Sequence, residues 1–162
     1  MFERVLIANR GEIAVRIIRA CREMGIESVA VFSEADRDCL HTKIADMAIY
    51  IGPPESKLSY LNMTSILSAA MTSRCQAVHP GYGFLAENPK FARMCEKNGI
   101  KFIGPSSKAI ELLGDKVRAK KTVTKAGIPV IGGIMKPLES KKHAFKLAKK
   151  IGFPIIIKAA AG

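Results

Sequence analysis

The segment "RVLIANRGEIAVRIIRACREMGIESVAVF", residues 4–32, contains the clearest fold signal of the chain. Two short runs at its ends, 4–8 and 28–32, are rich in β-branched and small apolar residues, as buried parallel strands are. Between them, over 11–24, apolar residues recur at helical spacing and charged residues fall on the other side. Gly25 follows, where a helix commonly ends in a left-handed residue. The segment therefore predicts a strand, a helix and a second strand parallel to the first.

The same pattern, a helix that ends at a glycine and is followed by a strand, recurs along the chain. "KNGIKFIG" and "KAGIPVIG" each show a helix tail, a glycine and the start of an extended segment. Further strands are predicted over 47–51, 76–79, 101–104 and 154–159. In "ENPKFARMCEKNG", Asn88 is the expected N-cap, Pro89 the first helical residue and Gly99 the end. This order of elements predicts an α/β fold: a Rossmann-like parallel sheet with helices on both faces.

Charge divides the 162 residues into two blocks. Residues 1–114 hold 14 Lys and Arg against 12 Asp and Glu, whereas residues 115–162 hold 12 against 2, within a net charge of +12. We therefore expect a domain boundary near Gly114. Five lysines of the basic block lie on a predicted amphipathic helix near 141–151, and we interpret them first as a solvated face. A phosphate-rich ligand or an acidic partner is the functional alternative; nucleic acid ranks third, because no aromatic residues interleave the lysines.

Several classes of protein are disfavoured by motifs that the sequence lacks. The four cysteines form no CxxC pair, which argues against a zinc site or a disulfide framework and for a reducing, cytoplasmic compartment. No apolar run is long enough to span a membrane, and the N-terminus does not have the pattern of a signal peptide. "IANRGEIAVR" has one glycine where the dinucleotide fingerprint needs three, and no P-loop motif occurs. An oxidoreductase is therefore not expected.

Six motifs occur together in one order: "IANRGEIAVRIIRACRE", "HPGYGFLAEN", "FIGPS", "LGDKVRAKK", "AGIPV" and "IGFPIIIKAAAG". With them the chain resembles, over its whole length, the N-terminal region of biotin carboxylase, the ATP-dependent component of biotin-dependent carboxylases such as acetyl-CoA carboxylase of fatty acid biosynthesis. The resemblance implies a pre-ATP-grasp α/β domain over 1–114, followed over 115–162 by the incomplete start of an ATP-grasp domain. It also implies a ligase that carboxylates carrier-bound biotin with bicarbonate and Mg-ATP, through carboxyphosphate.

The resemblance implies three ATP contacts in this chain. Lys116 and Lys158 match the family's nucleotide-binding lysines, and Gly162 matches the first glycine of its phosphate-covering loop. A fixed ammonium group near phosphate oxygens would neutralise their charge. Without the resemblance, Lys158 would be a solvent-facing lysine at a strand end and Lys116 an ordinary lysine of a first helical turn. The family's Mg²⁺ ligands and catalytic residues match no position here, so we expect no metal site, no catalytic residue and no activity from the chain alone.

The motif "HPGYGFLAEN" is expected at the carboxyl end of a strand, where open α/β sheets bind ligands. By resemblance, Tyr82 and Gly83 border the site of the biotin ureido ring. The alternative is that His79 and Glu87 hydrogen-bond the loop to itself.

Three charged residues of the first helix match the family's dimer interface: Arg16, Arg19 and Glu23. The resemblance implies a homodimer, with the biotin carboxyl carrier protein and a carboxyltransferase as partners, and neither nucleic acid nor a membrane. The alternative for these residues is a solvated helix face. Two other identities stay open for the chain: another ATP-grasp ligase, of the carbamoyl phosphate synthetase type, and a non-catalytic dimerisation or assembly module.

Overall fold

The computed structural model of the chain describes residues 1–114, 116–130 and 138–157, with the backbone alone at 116–118 and 120–121. The chain divides into two compact units, Met1–Glu111 and Leu112–Gly162. The first unit contains a sheet with helices, and the described part of the second contains helices.

The first unit is built on a five-stranded sheet in which every pairing is parallel. Its strands are β1 (Arg4–Ile7), β2 (Glu27–Ser33), β3 (Met47–Gly52), β4 (Ala77–His79) and β5 (Lys101–Phe102). They lie in the order β3-β2-β1-β4-β5, with Ile7 of the central strand opposite Ala30 on one side and His79 on the other. The predicted parallel α/β sheet is confirmed, and all five strands lie where the sequence patterns predicted them, within two residues at each end.

The described residues of the two units contain seven α-helices: α1 (Gly11–Glu23), α2 (Leu40–Ile44), α3 (Met63–Thr72), α4 (Pro89–Lys97), α5 (Ser107–Gly114), α6 (Lys116–Lys125) and α7 (Lys141–Ile151). The predicted caps of α4 are present: the Asn88 side chain accepts hydrogen bonds from the backbone N–H groups of Lys90 and Phe91, and Pro89 begins the helix. Asn62 caps α3 in the same way. These caps satisfy N–H groups that have no partner inside the helix.

Two buried clusters cover the two faces of the sheet, because successive strand residues point to opposite sides. On one face, Val5 and Ile7 of β1 pack with Ile17 and Ile18 of α1. On the other, Leu6 and its neighbours pack with residues of α3 and α4, including Ile66, Leu67, Phe91 and Ala92. Fully burying each such large aliphatic or aromatic side chain stabilises the fold by about 1.5–3 kcal/mol. The prediction of helices on both faces is confirmed.

The structure agrees with the prediction of a basic helix and disagrees with the prediction of the last strand. α7 is amphipathic, with Ala148 buried and its five lysines exposed, which supports the interpretation of a solvated basic face. The prediction of a strand over 154–159 is wrong for residues 154–157, which have no strand structure, and Ile156 and Ile157 are 82% and 70% exposed. A strand needs a neighbour for its backbone hydrogen bonds, and the described residues of the second unit form helices and loops without another strand.

Candidate functional site

The direction in which strands are added to the sheet reverses at β1. From β1 the sheet grows through β2 to β3 on one side, and β4 and β5 are then added on the other side of β1. The carboxyl ends of β1 and β4 therefore lie side by side at a topological switch point, where open α/β sheets form a crevice for ligands. Two of the sequence motifs meet here: "IANRGEIA" leaves β1, and "HPGYGFLAEN" leaves β4.

Asn9 joins the two motifs. The residue is 3% exposed, and its Nδ2 amide donates hydrogen bonds of 2.7 Å to the carbonyl oxygens of both Pro80 and Tyr82. Its Oδ1 accepts a hydrogen bond of 2.9 Å from the backbone N–H of Arg10. Both hydrogens of the amide and one lone pair of its oxygen are thus used, as a buried polar side chain requires. The turn after β1 therefore holds the backbone of the loop after β4.

The Tyr82 side chain is held at its far end by the same turn. Its hydroxyl donates a hydrogen bond to Oε1 of Glu12, in the first turn of α1, while 61% of the residue stays exposed. The hydrogen bond to Glu12, and then the negative charge of that carboxylate, raise the pKa of the Tyr82 phenol. Tyr82 is therefore a neutral phenol at physiological pH, presented at the crevice with backbone and hydroxyl both fixed.

Two glycines give the loop its shape. Gly81 (φ +65°) and Gly83 (φ +68°) have left-handed backbones that residues with a Cβ rarely adopt. A Cβ at Gly81 would lie 2.7 Å from Asn9 Nδ2, whereas one at Gly83 would meet no atom within 4 Å. Gly81 therefore permits the close approach of Asn9, and Gly83 leaves open space beside Tyr82.

His79 hydrogen-bonds the loop to itself. This agrees, for His79, with the alternative interpretation of the motif, in which His79 and Glu87 make bonds within the loop. Its Nδ1 accepts a hydrogen bond of 3.1 Å from the Gly81 N–H, and burial lowers the pKa of its imidazole. An unprotonated Nδ1 is the form that can accept this bond. Glu87 is exposed, and the structure gives it no such bond within the described loop.

A second polar cluster lies at the carboxyl end of β2, next to the switch point. Asp36 is 7% exposed and accepts hydrogen bonds from the Tyr60 hydroxyl at 2.7 Å and Ser33 Oγ at 3.1 Å. The guanidinium of Arg10 pairs with it at 3.2 and 3.3 Å. Burial acts to raise the pKa of the Asp36 carboxyl, but these hydrogen bonds together with the charge of Arg10 outweigh it and lower the pKa. Arg10 thereby links this cluster to Asn9, its neighbour in the chain.

The three predicted dimer residues line one open groove. Arg16, Arg19 and Glu23 are exposed on α1, facing Cys39, Leu40 and the start of α2 across the groove. Leu40 is 55% exposed at its edge. Within the described part of the chain, the structure gives these three charged side chains no hydrogen bond or ion pair. The groove combines charge with exposed apolar surface, which is a combination that protein interfaces use.

The predicted ATP contacts belong to the second unit. Lys116 is the first residue of α6, while Lys158 and Gly162 lie outside the described residues. Over the ranges 1–114, 116–130 and 138–157, no group of three or more His, Cys, Asp or Glu side chains could hold a metal ion. The described residues therefore assign no ligand to Mg²⁺.

Four residues of these clusters were missed in the sequence: Asn9, Glu12, Asp36 and Tyr60. One signal could have found Asn9 and Asp36, since polar residues that directly follow buried strands gather at one edge of a parallel sheet. For Tyr60, 24 residues from its partner Asp36, no local signal exists.

Comparison with known proteins identifies relatives along the whole chain. The family described as "Biotin carboxylase, N-terminal domain" matches residues 1–110, and that described as "Carbamoyl-phosphate synthase L chain, ATP binding domain" matches residues 115–162. Biotin carboxylase 1 of Bacillus subtilis (strain 168) is 56% identical over 162 residues, which are 100% of this chain and 36% of that protein. The biotin carboxylase of Nostoc sp. (strain PCC 7120) is 53% identical over 161 residues, 99% of this chain and 36% of that protein.

A solved structure has the same fold. It is the crystal structure of the biotin carboxylase domain dimer of the Hydrogenobacter thermophilus 2-oxoglutarate carboxylase, in complex with MgADP, ADP and bicarbonate. The TM-score is 0.90 at 49% sequence identity, covering 100% of this chain and 36% of that one. The chain thus spans about a third of the length of the curated relatives it matches. Separately, none of the helices in the described residues is long and apolar enough to cross a membrane.

Proposed function

The chain belongs to the biotin carboxylase family, and we propose that it forms the N-terminal part of an ATP-dependent ligase that carboxylates biotin on a carrier protein. The overall reaction consumes ATP and bicarbonate and releases ADP and phosphate, with carboxyphosphate as the intermediate. One observation carries the proposal: the loop with Tyr82 and Gly83 stands at the switch-point crevice, held by the turn after β1.

In this proposal Tyr82 and Gly83 border the biotin ureido ring. The exposed face of the Tyr82 ring supplies a flat apolar surface with a fixed orientation, and the missing side chain of Gly83 leaves room beside it. The role of this chain in the reaction is thus to bind and orient the acceptor, since no described residue is assigned to bond making or breaking.

The nucleotide contacts are Lys116, Lys158 and Gly162, within a second domain proposed to begin at residue 115. Bound MgADP and bicarbonate in the Hydrogenobacter protein, which matches the whole chain, support a site for Mg-ATP and bicarbonate in the longer enzyme. The two ammonium groups would neutralise phosphate charge, and a glycine would let backbone N–H groups approach the phosphates closely. Mg²⁺ is held by residues outside this chain.

We further propose a homodimer through Arg16, Arg19 and Glu23, by analogy with the dimeric Hydrogenobacter domain. The other partners are the biotin carboxyl carrier protein and a carboxyltransferase, and the 162 residues alone have no carboxylase activity. The four cysteines are free thiols, of which Cys21, Cys75 and Cys95 are buried, and this supports a reducing cytoplasmic location.

A chimera tests this function. Residues 1–162 would replace the matching part of the Bacillus subtilis relative, and bicarbonate-dependent ATPase activity would be measured. We expect activity that falls at least about 100-fold when Lys116 or Lys158 is changed to alanine, as when one group that stabilises transition-state charge is removed. Lys90→Ala, an exposed lysine of α4, is the matched control. Unchanged activity in both lysine variants would remove the assignment of these two contacts.

Two alternatives have specific support. The match of residues 115–162 to the carbamoyl-phosphate synthase ATP-binding domain is also compatible with another ATP-grasp ligase, and ATPase activity that biotin does not stimulate would indicate it. The exposed charged groove on α1 favours a non-catalytic dimerisation module, for which a stable dimer without nucleotide affinity would be the evidence.

A further inference from the structure

We infer that Asn9 and Glu12 are positioning residues that clamp Tyr82 at both ends, so that "IANRGEIA" and "HPGYGFLAEN" form one biotin-orienting unit. The inference rests on the proposed function of the loop. It assigns a role to the turn after β1, which itself holds neither of the two residues proposed to border biotin.

The Asn9 amide has a bonding pattern that another side chain cannot reproduce. It donates at 2.7 Å to two carbonyl oxygens of the loop and accepts from the Arg10 N–H. Aspartate has the same shape and can still accept from Arg10, but it would bring a carboxylate oxygen against two carbonyl oxygens. Because the site is buried, water cannot relieve that repulsion.

Glu12 acts on the other end of Tyr82. Its Oε1 accepts a hydrogen bond from the Tyr82 hydroxyl, which fixes the direction of the phenol ring. Glu12 stands in the first turn of α1, where the helix dipole favours a carboxylate. The residue is exposed, so removing its side chain leaves no cavity in either core.

Both clamping residues come from one turn, which connects two elements that are packed in the core. β1 is the central strand of the sheet, and α1 packs on it through buried isoleucines. The loop, by contrast, leaves β4, a strand of three residues, and contains two glycines. The position of Tyr82 is thus set by contacts across 70 and 73 residues of sequence rather than by its own segment.

The test uses the chimeric carboxylase with Asn9→Asp, Glu12→Ala and Glu12→Gln. Two rates are compared: the kcat/KM for free biotin, and the bicarbonate-dependent ATPase rate without biotin. We expect Asn9→Asp and Glu12→Ala to lower kcat/KM for biotin by about 10- to 100-fold, as misplacement of a substrate-positioning group does, with the ATPase rate within about twofold of the parent. Glu12→Gln keeps an acceptor oxygen and should restore most of the loss. Asn62→Asp is the control, because Asn62 uses its side chain as an acceptor from Ser65 N–H.

The outcomes separate the two proposals. A parent chimera that turns over ATP but does not carboxylate biotin contradicts the proposed function. The proposed clamp is contradicted if the parent is active and its variants keep their kcat/KM for biotin. It is also contradicted if the variants lose both rates together. If Asn9→Asp does not fold, the Glu12 pair decides. Amide hydrogen exchange of residues 81–84 in the chimera gives a readout independent of biotin: Glu12→Ala should accelerate it about tenfold or more relative to the sheet, and an unchanged rate overturns the clamp.

Discussion

The side-chain amide nitrogen of Asn9 lies 2.7 Å from the backbone carbonyl oxygen of Tyr82, 73 residues further along the chain. This contact joins the segment after the central strand to the loop proposed to face biotin. It is made at the point where the strand order reverses, so the topology of the sheet brings the two residues together. Two other residues complete the arrangement: Gly81 leaves room for Asn9, and Glu12 orients the tyrosine hydroxyl.

Changing Gly81 to alanine should destabilise the protein more than the same change at Gly99. Both glycines have left-handed backbones, φ +65° and +70°, so each change costs about 1–2 kcal/mol in backbone strain. At Gly81 the new Cβ would also meet Asn9 Nδ2 at 2.7 Å, whereas at Gly99 nothing lies within 4 Å. This overpacking at Gly81 adds about 1–3 kcal/mol to the loss of stability. Urea unfolding of the two variants measures the difference, and equal losses would contradict the close approach of Asn9.

Tyr60→Phe should lower the free energy of unfolding by about 1–3 kcal/mol, because a buried carboxylate loses a hydrogen bond and the Ser33 N–H loses its acceptor. Tyr50→Phe removes a hydroxyl from a half-exposed ring on β3 and should change the stability by less than about 0.5 kcal/mol. Chemical denaturation at neutral pH checks both. A loss of the same size at Tyr50 would show that the Asp36 cluster is not the cause.

The hydrogen bonds of the Asp36 cluster should also make the stability of the protein depend on pH in the acid range. The pKa of Asp36 is below its ordinary value of 3.8, so the folded state binds this proton less readily than the unfolded state. The stabilisation is present above that value and is lost as the pH falls through the lower folded pKa. Tyr60→Phe raises the folded pKa and should flatten the loss of stability below about pH 4. Denaturation curves over this range test it, and an unchanged slope would contradict the assignment.

Two histidines, the buried His41 and the partly buried His79, should make the stability depend on pH in a second, higher range. Burial lowers the pKa values of His41 and His79 below 6.5, so protonation favours the unfolded chain. The stability should therefore be full above that pH and fall towards about pH 5, by at most about 1.4 kcal/mol per pH unit for each histidine. Protonation of His79 Nδ1 also removes the acceptor of the Gly81 N–H. Urea midpoints at several pH values measure the slope; a rise in stability on acidification would contradict the neutral state of the two imidazoles.

Reversal of charge on α1 should weaken self-association. If Arg16, Arg19 and Glu23 form the dimer contact, Arg19→Glu places like charges against the partner and should raise the dimer dissociation constant about tenfold or more. Lys90→Glu, on the helix that covers the opposite face of the sheet, is the control with the same change of charge. Sedimentation velocity of the two chimera variants measures their dimer dissociation constants. Equal values would show that the dimer interface does not include Arg19.

The strands and the first helix were predictable because their signals are local. The run at 4–8 and the helical spacing of Ile13, Ile17 and Cys21 depend on the next few residues, and Gly25 marks the turn between elements. The strand predicted over 154–159 failed for 154–157 for the opposite reason: its apolar residues have strand propensity, but pairing depends on a neighbour elsewhere in the chain.

The site was predictable in part. The loop around Tyr82 and Gly83 could be located from its glycines and its position after a strand. Its partners could not, because the Asn9–Tyr82 and Glu12–Tyr82 contacts appear once β4 is known to lie beside β1. The roles proposed for Lys116, Lys158 and Gly162 depend on the resemblance to the family.

The experiment that bears most closely on the proposed function is the transfer of carbon-14 from bicarbonate to free biotin by the chimera that contains residues 1–162. We predict labelled carboxybiotin that requires ATP and Mg²⁺, at a rate that Asn9→Asp lowers and Asn62→Asp does not. A chimera that folds and hydrolyses ATP with bicarbonate, yet transfers no label to biotin, would contradict the proposed function.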